Sequence, residues 1–67
     1  MFVIMKIDKN KIRKTIKAQG LTIGQAAEKM GVSRQGLHMI LANESTLLKN
    51  VDKIAHGIGL KPKDILI

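Results

Sequence analysis

The chain has 67 residues, no cysteine and a single aromatic, Phe2, so disulfides and thiolate metal sites are excluded and aliphatic side chains must fill any core. Below about 70 residues a core needs tightly packed helices or self-association to support it. Twelve Lys and Arg against five Asp and Glu give a formal charge of +7, which suits a polyanionic partner, above all nucleic acid.

The charge is uneven along the chain. Residues 1–34 carry eight basic and two acidic side chains, whereas residues 35–67 carry four and three. The opening MFVIM is apolar, but a membrane span needs about 20 such residues and a secretory h-region about 7–15. The expectation is a cytoplasmic protein with no membrane partner. Residues 1–7 lack helical spacing, and FVIMKI reads as an extended arm or short strand that places Phe2 and Ile4 on one face.

Asp8 can cap a first helix running through Gln19, with Ile12 and Ile16 one turn apart and Gly20 placed to end it. Thr22 and Gln25 form a T-x-x-Q capping box ahead of Ile23, Ala26, Ala27 and Met30, and Gly31 stops that run. Ser33 caps a third helix that ends near Ala42, where Asn43 can take the left-handed conformation that follows a helix. Thr46 is expected to open a fourth helix, whose Leu47, Leu48, Val51, Ile54, Ala55 and Ile58 trace one apolar stripe. Pro62, at a first helical position, starts a last turn carrying Ile65 and Leu66. The expected fold is all-α: an arm over residues 1–7, then one domain over residues 8–67 built as a compact bundle of five short helices.

The third helix raises a question. At about 100° per residue it buries Leu37, Ile40 and Leu41, and so turns Gln35, His38, Met39 and Ala42 to the opposite side. That face is polar, apolar and small at once, which suits neither a core nor an ordinary solvated surface. Only Gly31 and Val32 separate the second and third helices, with small Ala27 at a close approach, and this pattern describes a helix-turn-helix.

The stretch LTIGQAAEKMGVSRQGLHMILAN closely resembles the phage-repressor type of DNA-binding domain, the Cro/Xre family. The resemblance covers residues 5–66, including GLKPKDIL, which is similar to the family's closing helix. Two positions depart from the family pattern. The family usually begins its second helix with a Gln that contacts a phosphate and braces the recognition helix, and Ile23 stands there instead. Many relatives also pair an Arg on the first helix with a Glu late in the recognition helix, and here those positions are Ile16 and Leu41. Packed aliphatics often replace a buried ion pair without loss of stability, whereas one change alone would strand a charge.

The resemblance implies that Ser33, Arg34, Gln35 and Met39 lie against base edges in the major groove of a palindromic double-stranded operator. Their chemistry suits that role. Arg can pair bidentately with guanine O6 and N7, and Gln with adenine N6 and N7. Met39 offers a soft thioether to a thymine methyl, although an isolated exposed apolar residue is also common. His38 lies at the rim, either bonding a base or phosphate or simply solvated. Gly36 serves either close approach to the duplex or a helix crossing. Expected phosphate contacts are Lys17, Thr22, the amide of Ile23, Asn43 and Lys49, which position the domain while bases specify the sequence.

No catalytic, metal or cofactor site is expected. His38 and His56 lack ligand partners in suitable spacing, and no glycine-rich phosphate loop, nucleophile elbow or acid pair is present. The expected function is a sequence-specific DNA-binding regulator, a repressor of phage or mobile-element type acting as a homodimer. An antitoxin or a restriction–modification controller would carry the same features, with a toxin or an antirepressor as protein partner. The competing reading is a protein-interaction module that docks a partner through the face of helix 33–42.

Overall fold

The computed structural model describes residues 3–67. Its elements are β1 (Ile4–Lys6), α1 (Lys9–Ala18), α2 (Ile23–Met30), α3 (Arg34–Asn43), β2 (Ser45–Leu47), α4 (Leu48–Gly57) and α5 (Pro62–Ile65). The fold is all-α with one small two-stranded ribbon, as the capping chemistry and the helical spacing indicate. Phe2, expected to share a face with Ile4, lies outside the described residues.

Local chemistry starts and stops the first three helices. The Lys11 amide donates to Asp8 Oδ1 at 3.1 Å, and α1 then buries only Ile12 and Ile16. At α2 both halves of the capping box are made: the Gln25 amide donates to Thr22 Oγ1 at 3.1 Å, and the Thr22 amide to Gln25 Oε1 at 2.9 Å. Gly31 ends α2 at φ 74°, and the Val32 amide closes the turn on the Ala27 carbonyl at 3.0 Å. Ser33 then caps α3, its Oγ accepting from the Gly36 amide at 2.9 Å.

Four expectations about the second half need correction. Asn43 stays helical, and Glu44 takes the left-handed position at φ 55°. A Glu there bears the strain of a Cβ against its own carbonyl, but its carbonyl accepts from the Ile7 amide at 3.0 Å and its carboxylate meets Lys9 Nζ at 3.2 Å. Thr46 does not open α4. It lies in β2, is buried, and its Oγ1 accepts from Asn50 Nδ2 at 3.3 Å, so α4 begins at Leu48 without a side-chain cap. The apolar stripe of α4 is correspondingly shorter: Val51, Ile54, Ala55 and Ile58 are buried, Leu47 is half-buried, and Leu48 stands 49% exposed. Leu66 is not helical either, since α5 ends at Ile65 and Leu66 bridges Ile7.

The arm is held on both sides by its own chain. β1 pairs antiparallel with β2 in the register Ile4 with Leu47, Met5 with Thr46 and Lys6 with Ser45. On the other edge the Asp8 amide donates to the Ile65 carbonyl at 2.7 Å, and the Ile67 amide to the Lys6 carbonyl at 3.2 Å. Strand alternation therefore sends Met5 and Ile7 inward and Ile4 and Lys6 outward. Ile7 is fully buried and joins Ile12, Leu37, Leu41, Ile54 and Ile65 in one core. Ile16 and Leu41, the two aliphatics at the family's ion-pair positions, are both buried in that core.

One close contact sets the spacing between α2 and α4. A Cβ at Gly57 would fall 2.6 Å from Met30 Cγ and 2.7 Å from Met30 Cα, so the two helices meet through backbone. Gly57→Ala would gain helix propensity, about 1 kcal/mol at most, but overpacks a backbone contact that cannot rotate away. A net destabilisation of about 1–3 kcal/mol is expected, measured as a lower midpoint in urea at unchanged slope.

Candidate nucleic-acid interface

Residues on α3 divide cleanly by burial. Leu37 and Leu41 are buried and Ile40 is half-buried, while Ser33, Arg34, Gln35, His38, Met39, Ala42 and Asn43 are exposed. The helix-turn-helix thus presents the whole predicted base-contacting set to solvent on one element. Ser33 and Thr22 each accept a backbone amide as caps, which leaves the hydroxyl proton of each available to donate outward.

Two groups of site residues come together. In the first, Arg34 leaves the start of α3 toward α2: its Cδ lies 3.7 Å from where a Cβ would sit at Gly24, and Thr22 Oγ1 lies 3.9 Å from the same point. Ile23, beside them, is half-buried and packs on the core, so its amide alone faces outward as a donor of the first helical turn. In the second group, Ser33, Gly36, Met39 and Asn43 form one wall of a groove of about 430 Å³, whose other wall is the ribbon at Ile4 and Leu47. Met39, 58% exposed, is therefore no isolated surface residue. It stands at the lip of an uncharged groove that adjoins the predicted base-contacting face.

Lys17, at the end of α1, and Lys49, in the first turn of α4, are exposed and belong to neither group. His38 is exposed on α3 and makes no hydrogen bond among the described residues. The ion pair among the described residues joins Lys9 to Glu44, so Arg34, Lys17 and Lys49 carry no acidic partner. Among those residues, no group of His, Cys, Asp or Glu is placed to hold a metal ion. No helix is long and apolar enough to cross a membrane.

Gly36 can now be assigned. No other helix comes within 4 Å of its missing Cβ; the near atom is Ser33 Oγ at 2.9 Å. The glycine opens the groove floor, and it is not a crossing residue. Gly24 and the second strand of the ribbon, Ser45–Leu47, escaped sequence reading. Gly24 carries no side chain to signal a contact, and a three-residue strand is too short for alternation to register.

A family model described as helix-turn-helix matches residues 12–65. The chain belongs to this family, the Cro/C1-type DNA-binding domains of Xre regulators, and it is a DNA-binding transcriptional regulator of that type. No curated protein and no solved structure matches it.

A small shift of the Ser33 hydroxyl makes room for a Cβ at Gly36. The equivalent residue of α2, Gln25, bears a Cβ while its amide still donates to the capping Thr22 Oγ1 at 3.1 Å, and alanine adds up to about 1 kcal/mol of helix propensity over glycine. Gly36→Ala should therefore raise the melting temperature. A lowered melting temperature would show that the Ser33 cap is lost.

Proposed function

We propose that the chain is a sequence-specific repressor of phage or mobile-element type, which inserts α3 into the major groove and blocks transcription by occupying its operator. The observation that carries this reading is the exposed set Arg34, Gln35 and Met39 on the recognition helix of a family DNA-binding domain, unpaired and backed by a +7 chain. Arg34 and Gln35 read base edges, with Ser33 and His38 at the margins and Met39 against a thymine methyl. Thr22, the Ile23 amide, Asn43, Lys17 and Lys49 hold phosphates and fix the register.

The two roles separate experimentally. Arg34→Ala should relax preference at one operator position at a cost of about 1–3 kcal/mol, while Lys49→Ala should weaken all sequences alike and flatten the salt dependence by about one unit of slope. Equal loss on specific and random duplexes for Arg34→Ala would remove it from base reading. Affinity that holds constant with salt would favour a protein-docking module on the α3 face instead, with a toxin or an antirepressor as its partner.

The reading includes a homodimer on a palindrome whose half-sites lie about 10–10.5 base pairs apart, centre to centre. Support comes from the ribbon side, where Val3, Ile4, Leu48 and Ile67 leave apolar surface exposed, Ile4 to 69%. The arm pairs with β2 on one edge and is bonded at Lys6 and Asp8 to the end of its own chain on the other, so the association is proposed to run through these side chains rather than through two paired arms. Sedimentation of the wild type should show a dimer that Ile4→Lys converts to monomer. A wild-type monomer at high concentration that protects a single unrepeated site would end the dimer reading.

A further inference from the structure

The first turn of α2 is bare where Arg34 crosses it. Ile23 turns to the core, Gly24 has no side chain, and the Gln25 amide oxygen is taken by the Thr22 N–H. Against this bare turn lies the stem of Arg34, with Cδ 3.7 Å from the vacant Cβ position. An arginine commonly lays its methylenes along such a surface and keeps its head group in water. No carboxylate pairs with this guanidinium among the described residues.

A long side chain whose stem runs beside a bare helical turn and whose head is free is prepared to bind. Arg gives up several rotamers when it docks on a base, and restricting the stem beforehand removes part of that cost. We propose that Gly24 is a specificity-determining position: the bare turn of α2 seats the Arg34 stem and aims its guanidinium at the base pair that it reads. Gly24 touches no base in this account and acts through Arg34 as a positioning residue. The inference rests on Arg34 reading a base, as proposed above.

Geometry dictates which substitutions matter. A methyl group at position 24 would sit at ordinary van der Waals distance from Arg34 Cδ, so Gly24→Ala keeps the seat. Gly24→Leu and Gly24→Gln cover it with a longer side chain and push the stem away. Both are better helix formers than glycine, so α2 should persist.

The test measures binding of the full chain to its preferred duplex and to the same duplex with a single base pair changed, that pair being the one at which Arg34→Ala loses preference. Gly24→Ala should discriminate as the wild type does. Gly24→Leu and Gly24→Gln should lose about 2- to 12-fold of that discrimination while keeping affinity for random duplexes and the wild-type melting temperature. The double variant Gly24→Leu/Arg34→Ala should match Arg34→Ala alone, because a seat without its occupant does nothing. Full discrimination in both longer variants, or a loss that adds to that of Arg34→Ala, overturns the role of Gly24 and leaves base reading by Arg34 intact. A uniform loss for Arg34→Ala on every duplex overturns the underlying reading instead. Nuclear-spin relaxation of the Arg34 Nε gives an independent readout: mobility should rise in Gly24→Leu, and unchanged mobility contradicts the seat.

Discussion

The left-handed turn at Gly31 is the constraint on which the remaining structure depends. It ends α2, turns the chain within three residues and delivers Ser33 as the cap of α3, with the Val32 amide locked on the Ala27 carbonyl. A residue with a Cβ would resist φ 74° there. The turn is also held from behind. Met30, the last residue of α2, meets the backbone of Gly57 on α4, so the α2–α3 pair cannot rock as a unit without opening the core. A recognition helix must be rigid to be specific, because a wrong base is rejected only when the side chains cannot readjust to it.

The ribbon does for the far end of α3 what Gly31 does for its start. The Glu44 carbonyl is bonded to the Ile7 amide, and Ile7 lies at the centre of the core. The N-terminal arm thereby ties the end of the recognition helix to α5, whose Ile65 carbonyl accepts from Asp8. For a chain of 67 residues with a single aromatic, this closure uses backbone hydrogen bonds where a larger protein would use more apolar volume. It also leaves the outward face of the ribbon beside α3, where an uncharged groove separates Ile4 from Met39.

Helix starts and stops were legible wherever a single side chain determines them. Asp8, the Thr22–Gln25 box, Gly31, Ser33 and Pro62 act within one turn of their own position, so their chemistry can be read without knowing the fold. The second half misled for the opposite reason. Thr46 has the chemistry of a helix cap, but pairing with Met5, 41 positions earlier, recruits it to a strand and turns its hydroxyl to Asn50. Asn43 has the better left-handed propensity, yet the bonds from Ile7 and Lys9 select Glu44. The exposed face of α3 was legible from its period and its odd composition. Gly24 and Gly57 were not, since a glycine that matters through what approaches it shows nothing in its own side chain.

The most direct test is to select bound sequences from a pool of random duplex DNA with the full chain, then to footprint the enriched sequence. One enriched motif is expected, with a guanine and an adenine at adjacent positions on the major-groove side, as Arg34 and Gln35 are neighbours on one helix, and protection centred on those bases. Recovery of unenriched random sequence, bound only in proportion to low salt, would contradict it.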